Sequence, residues 1–242
     1  MGIMLKNHLP CNTCSGSDCV TEYDTNWYCW SCHTYTRKVK STLVKQVPQG
    51  QKPKHFQVPI CQFDHAPTLE WLAKAYISPD VAQLAKIGFS IQQKRIILPV
   101  FNQATIIGYQ ARRPINGQGP KYLTYKKNNI PIWYEIITKK DEVVVVVEDI
   151  LSAIRISPFC NVIALLGTTY EGAVLHRLSQ FQTVVIWLDS DQPGQTAAQS
   201  LSQRLSLVTQ LRHIVTTVDP KYLTDKEIHR ILYDYRRSFT QL

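Results

Sequence analysis

Two runs of apolar residues in the C-terminal half show no alternation with polar ones. They are Val143 to Val147, and the apolar stretch of TVVIWLDSDQPG that ends at Asp189. Short, β-branched, unalternated runs are the pattern of strands buried on both faces of a parallel sheet. Between them lie a helical segment (LSAIRIS), a third apolar run (Val162 to Leu166) and a second helical segment. The order β-α-β-α-β makes parallel pairing the natural topology. Further on, QTAAQSLSQRLSLV places apolar residues at 197/198, 201, 205 and 208, the stripe of a helix packed on a sheet. LRHIVTTV supplies a fourth strand, and TDKEIHRILYDYRRSF opens a helix with Thr224 and Glu227 as a capping box. The expected fold class is α/β.

The middle of the chain has a different pattern. PTLEWLAKAYISPDVAQLAKIGFS spaces its apolar residues as two short helical pieces, with Ser78 as N-cap and Pro79 in the first turn of the second. KRIILPVFNQATIIGYQARR reads as two strands separated at Asn102–Gln103, hence a hairpin, and GPKYLTYKK as a further strand. From Ser41 to His65 the periodicity fades and Pro48, Pro53 and Pro59 mark a linker. The organisation expected is a small domain over 1–40, a flexible linker over 41–65, a basic lobe over 66–138 and the sheet with its terminal helix over 139–242.

Carboxylates gather where the buried runs end. Glu148 and Asp149 follow the valines, and Asp189, Ser190 and Asp191 precede the turn at Pro193–Gly194. In open α/β sheets ligands collect outside the carboxyl ends of the strands. A single Asp after a strand most often caps the next helix. Three carboxylates at two strand ends, one pair spaced D-x-D, favour instead a Mg2+ site, since Mg2+ takes one or two carboxylates and leaves its other positions to water and phosphates. Gly167, Thr168 and Thr169 end the third run, and their N–H groups suit either a phosphate or an ordinary strand-to-helix turn.

Five of the seven cysteines lie between residues 11 and 32. Cys11–Cys14 and Cys29–Cys32 form C-x2-C-x14-C-x2-C, two thiolate knuckles that complete the tetrahedral site of structural Zn2+. Cys19 and His33 are rival ligands, Cys19 as a free thiol and His33 as an exposed side chain in the simpler reading. Cys61 and Cys160 receive no role. Tyr23, Trp27, Tyr28, Trp30 and Tyr35, followed by Arg37, Lys38 and Lys40, suit stacking on single-stranded nucleic acid or packing of a ribbon with little core.

The formal net charge of +9 favours an anionic partner. Arg95, Arg112, Arg113, Lys121, Lys126 and Lys127 recur along the strands of the middle lobe, lining a groove or simply solvated. No apolar run spans a membrane and MGIMLKNHLP lacks the apolar stretch of a secretory signal, so a cytosolic protein with reduced thiols is expected. No G-x4-G-K-[ST] occurs, so no P-loop motor is expected in this chain.

VVVED…IWLDSDQPG resembles the Toprim domain of bacterial-type primases, topoisomerases and some repair proteins. That family carries a Glu after its first strand and D-x-D-x-x-G after its third, matched by Glu148, Asp189, Asp191 and Gly194. The family usually reads E-G-x-x-D, where this chain has Asp149 for the Gly and Ser152 for the Asp. R-I-x-x-P-V…I-G-Y-x-x-R…P-K-Y-L is similar to the N-terminal lobe of the primase RNA-polymerase domain, matched by Arg95, Pro99, Gly108, Arg112, Lys121, Tyr122 and Leu123. The order zinc ribbon, linker, basic lobe, Toprim sheet is that of phage and bacterial primases, with the compact phage type closer.

The resemblance implies a DNA primase that makes short RNA primers on single-stranded DNA from ribonucleotides. Glu148, Asp189 and Asp191 would hold Mg2+ or Mn2+, with Asp219 a further metal-proximal residue. Arg95, Arg112, Arg113, Lys121 and Tyr122 would hold template and nucleotide, and the ribbon would grip the template. A separate replicative helicase and a DNA polymerase are the expected partners, in the host cytoplasm if the chain is phage-encoded. Two other readings compete. Recombination mediators also join a four-Cys zinc site to a Toprim domain, but DNA-binding helices precede theirs, and only ten residues precede Cys11 here. A Toprim nuclease would use the same metal site, without a reason for the ribbon or the P-K-Y-L segment.

Overall fold

The chain divides into two units, Met1–His55 and Phe56–Leu242. The computed structural model describes residues 4–23, 26–37, 56–114, 117, 119–127, 130–140, 142–167 and 172–237. The first unit is an antiparallel sheet in the order β1 (Met4–Leu9), β2 (Val20–Tyr23), β3 (Asn26–Cys29), β4 (Tyr35–Arg37). Its core is small: buried Cys11, Val20 and Cys29, with Leu9, Cys19 and Cys32 packed against them. Of the expected linker, residues 41–55 lie outside the described residues. Residues 56–65 do not stand apart. Phe56 and Cys61 pack on Ile97, Tyr109 and Ala111, and Gln62 bridges to Phe89. Their apolar side chains are too widely spaced to show a period, yet they cover an otherwise bare sheet face.

The second unit begins with α1 (Ala66–Ala73) and α2 (Pro79–Leu84). Ser78 caps α2, accepting from the Val81 N–H at 3.3 Å, and Pro79 occupies the first turn, where its missing N–H costs nothing. An antiparallel sheet follows, in the order β5 (Gly88–Ser90), β6 (Arg95–Asn102), β7 (Thr105–Arg112), β8 (Tyr122–Lys126). The β6–β7 hairpin turns where Asn102–Gln103 predicted, with Gln103 at φ 53° and Asn102 facing Thr105.

A second sheet has the order β13 (Gln210–His213), β12 (Thr183–Ile186), β10 (Val143–Val147), β11 (Asn161–Ala164), β9 (Tyr134–Ile136). All neighbours are parallel except β9, which runs antiparallel to β11. The valines of β10 explain its central place. Val145 and Val147 face a core shared with α1, β6, α3 (Ile150–Ile156) and α6 (Asp225–Arg237), whereas Val144 and Val146 face α4 (Gly172–Leu178) and α5 (Gln192–Leu205). A strand buried on both faces has no polar face, hence the run of five. Because Ile96, Leu98 and Val100 of β6 join the same core as Val145 and Val147, the two sheets are held as one body. The Gln110 side chain donates to the Leu166 carbonyl at 3.1 Å and fastens them further.

Three local expectations change. β9 lies inside the 66–138 stretch but completes the edge of the second sheet. α5 ends at Leu205, and Val208, expected on its buried stripe, is 58% exposed in the following turn. The IGFS end of the helical stretch forms β5 instead. The capping box of α6 forms as expected: the Thr224 N–H donates to Glu227 Oε2 at 2.8 Å and the Glu227 N–H to Thr224 Oγ1 at 3.3 Å. Among the described residues no helix is long and apolar enough to cross a membrane.

Candidate metal and nucleotide site

The acidic side chains of the site lie in the connections that follow three parallel strands. Glu148 and Asp149 follow β10, Asp189 and Asp191 follow β12, and Asp219 opens the one-turn 3-10 helix Pro220–Tyr222 beyond β13. The structure brings Glu148, Asp149, Asp189, Asp219 and Lys221 together around a cavity of about 110 Å3, closed by Trp71, Arg112, Lys121, Tyr122 and Tyr222. Three of these acids carry local duties. Asp149 caps α3, accepting from the Ser152 N–H at 3.0 Å. Asp191, exposed at the head of α5, accepts from the Gly194 N–H at 2.9 Å and does not line the cavity. Asp219 accepts from Lys221 at 2.7 Å. The capping reading of these carboxylates thus describes Asp149 and Asp191.

Gly194 has a steric reason. A Cβ there would strike the Asp189 carbonyl oxygen, so any larger residue would push the loop that aims Asp189. The turn bearing Asp219 and Lys221 is fixed from behind by Arg155. This buried side chain donates to the Leu223 carbonyl at 2.9 Å and pairs with Asp225 at 2.6 Å. Trp187 donates to Thr216 at 2.9 Å and ties the end of β12 to the same segment.

The electrostatics are those of crowded, half-buried acids. Burial, then Asp189, Asp149 and Asp191, push Glu148 up to about 7. Burial also pushes Asp189 up to about 6, with Asp219, Asp149 and Asp191 adding to it and Lys221 opposing. Burial works against the Lys221 ammonium, but Asp149 and Asp219 override it and hold the amine well above its ordinary value. One oxygen of Asp189, Oδ1, is buried with no hydrogen-bond partner among the described residues. A buried carboxylate oxygen without a donor costs free energy unless a cation takes it up. Glu148 and Asp189 therefore fit a hard divalent cation by donor type, charge and this unmet oxygen.

A pH dependence follows. Both acids have folded-state values above their unfolded ones, so the stability they contribute is present when they are protonated. It is lost as pH rises through about 6 and about 7. Zinc-loaded protein without Mg2+ should melt at a higher temperature at about pH 5 than at about pH 8, relative to a Glu148→Gln variant measured alongside. Mg2+ should recover part of the loss at the higher pH. Identical pH profiles for the two proteins would show that Glu148 does not carry its share of the effect.

The basic residues expected at the site separate into two groups. Arg112 lies over Trp71 (4.7 Å to the ring centroid) and Tyr122 (5.1 Å), a guanidinium held between rings at the cavity wall. Lys121 and Tyr122 line the same wall. Arg95 is occupied elsewhere: its guanidinium donates to the carbonyls of Ala111 (3.1 Å) and Pro120 (3.0 Å), bracing the hairpin end. Arg113 donates to the Gly119 carbonyl and lines a neighbouring cavity of about 270 Å3 with His65, Glu70, Trp71 and Lys74. Trp71 and Arg112 border both cavities. Trp71 and Tyr222 were not singled out from sequence, and for Lys221 the family resemblance suggested only a further acidic or basic contact at Asp219–Pro220–Lys221. Gly167 stands at φ 137° after β11, while Thr168 and Thr169 lie outside the described residues.

In the first unit the sulfur atoms of Cys11, Cys14, Cys19 and Cys29 lie within 4.8 Å of one another, and Cys32 Sγ is 3.8 Å from Cys11 Sγ. Five thiols therefore converge, and Cys19, read as free, stands 3.4 Å from Cys29. The Cys32 N–H donates to Cys29 Sγ at 3.5 Å and helps draw that thiol down to about 6, toward the thiolate a metal needs. The cluster is suited to Zn2+ by its soft, convergent donors. His33 is exposed and bonds Tyr28 at 2.9 Å. Trp30 and Tyr35 are 60% and 59% exposed, so their rings are not used up in packing.

Residues 145–223 match a Toprim-like family model. The search of curated proteins finds no match. Among solved structures, the Aquifex aeolicus primase (zinc-binding and RNA polymerase domains) aligns with a TM-score of 0.57 and 16% identity, covering 96% of this chain and 80% of that one. The primase fragment of the bacteriophage T7 primase-helicase aligns with a TM-score of 0.52 and 18% identity, covering 96% of this chain and 99% of that one. At such identities the likeness is one of fold. The family match, the acid-bearing parallel sheet and the cysteine-rich N-terminal unit agree: this chain carries a Toprim-like domain over residues 145–223, and its fold is similar to that of the two primase fragments.

Proposed function

We propose that the protein is a DNA primase, joining ribonucleotides into short RNA primers on a single-stranded DNA template. The observation that supports this best is the cavity in which Glu148 and Asp189, the latter with an unmet buried oxygen, face Arg112, Lys121 and Tyr122. Acids for a cation and bases for phosphates at one opening are what nucleotidyl transfer needs. Glu148 and Asp189, with Asp191 two residues further along the chain, would hold Mg2+. When bound, it would neutralise the nucleotide phosphates and the charge of the departing pyrophosphate. Arg112 and Lys121 orient those phosphates, Arg112 with little freedom because Trp71 and Tyr122 hold its plane. Trp30 and Tyr35 offer stacking faces to the template. A helicase for unwinding and a DNA polymerase for extension are the partners this reading calls for; the sequence itself contains no P-loop motif.

The test is a primer-synthesis assay with zinc-loaded protein, Mg2+, labelled ribonucleotides and a mixture of single-stranded DNA templates. Short labelled RNA that requires both template and Mg2+ is the expected product. Cleavage of labelled DNA without RNA synthesis would overturn the proposal in favour of a nuclease. Template binding without any product, with a helicase supplied, would point to a non-catalytic DNA-binding role.

A further inference from the structure

Lys221 is not placed like a surface lysine. It is 13% exposed, and its Nζ lies 2.8 Å from Asp149 Oδ2 and 2.7 Å from Asp219 Oδ2. Its position is fixed at both ends. Asp149 is itself locked, because its Oδ1 caps α3 and its Oδ2 accepts from Ser152 Oγ at 3.3 Å. The Pro220–Tyr222 turn is anchored through Arg155 and Leu223. Two of the three ammonium N–H donors are thereby engaged with acids that would otherwise face the cavity. The remaining cavity acids are Glu148 and Asp189, and it is Asp189 that keeps an unpartnered oxygen.

Phosphoryl-transfer sites commonly hold two divalent cations about 4 Å apart, and each needs its own carboxylate oxygens. Here two of those oxygens converge on one point within 2.8 Å, and an ammonium already fills it. We propose that Lys221 is a built-in cation that takes the place of a second metal ion. It removes Asp149 and Asp219 from coordination and confines the divalent cation to the Glu148–Asp189 side of the cavity. Asp219, expected near the metal, is then a partner of Lys221 rather than a ligand. This inference rests on the reading of the acids as a divalent-cation site, and it fixes how many ions that site takes.

Direct counting of Mn2+ by electron paramagnetic resonance, on the full zinc-loaded chain, tests it. Mn2+ prefers oxygen donors and leaves the thiol cluster to zinc. The wild type is expected to bind one Mn2+, lost on Asp189→Asn. Lys221→Met frees the Asp149–Asp219 pair and should raise the count to two. Asp149→Asn can still cap α3, and should leave both the count of one and the affinity within about twofold. Two ions on the wild type, one on a folded Lys221→Met protein, or a tenfold affinity loss in Asp149→Asn would each overturn the proposal. If Lys221→Met fails to fold, the wild-type count and the Asp149→Asn affinity still decide. The two readings fail separately. One Mn2+ without primer synthesis overturns the primase and keeps the role of Lys221, whereas primer synthesis with two bound ions does the reverse.

Discussion

Asp189→Asn is expected to lower primer synthesis by about a thousandfold, the scale on which removal of a charge-stabilising group in a phosphoryl- or acyl-transfer site is felt. The substitution keeps the shape of the side chain and removes one negative charge. Asp189 is the residue to choose because its Oδ1 is buried with no hydrogen-bond partner among the described residues, which leaves it available to a cation. Asp191 is a less clean target. Its carboxylate caps α5 through the Gly194 N–H, and loss of an N-cap alone costs about 1 kcal/mol. The fold should survive Asp189→Asn. In Mg2+-free buffer the melting temperature should stay level or rise, since the neutral amide no longer repels Glu148, Asp149 and Asp219. A loss of synthesis accompanied by a lower melting temperature would mean that Asp189 is structural. Near-wild-type synthesis in the folded variant would remove it from the chemistry altogether.

The same residue shows why the candidate site's placement at the strand ends was legible in the sequence. A strand covered on both faces must be apolar along its whole length, so Val143 to Val147 announce their own end, and the acids just past it fall where a parallel sheet opens. The hairpin at Gln103 and the capping box at Thr224 were legible for a similar reason: their determinants are neighbours in the chain. The bracing contacts of Arg95 were not legible because its partners are carbonyls 16 and 25 residues away, at Ala111 and Pro120, which no spacing reveals. Lys221 is another long-range case, paired with Asp149 72 residues earlier. β5 and β9 are three residues each, too short for a period of two to declare itself, and exist because a longer neighbour offers its edge. Val208 fits the helical stripe by number, but the chain turns away at Leu205 before reaching it.

Stripping zinc should unfold residues 4–37 while leaving residues 56–237 intact. The asymmetry comes from what each unit buries. The second has two extended apolar clusters running the length of its sheets. The first buries Val20 and two cysteines, and rests on Leu9, Cys19 and Cys32, half-covered. So small an apolar centre does not offset the chain entropy of a ribbon of this size, and coordination must supply the difference. Limited proteolysis after chelation, in reducing buffer, should digest the N-terminal unit and leave a resistant fragment beginning near Phe56. The changed surroundings of Trp27 and Trp30 should register as a fluorescence change that zinc reverses. The five convergent thiols refine the expectation. If the two C-x2-C knuckles are the ligands, Cys19→Ser keeps one zinc per chain and the protection, whereas Cys32→Ser loses both. The reverse outcome would put Cys19 in the first rank of ligands, in line with the tight grouping of Cys11, Cys14, Cys19 and Cys29. An N-terminal unit that stays protected with no zinc bound would mean that its sheet, not the metal, carries its stability.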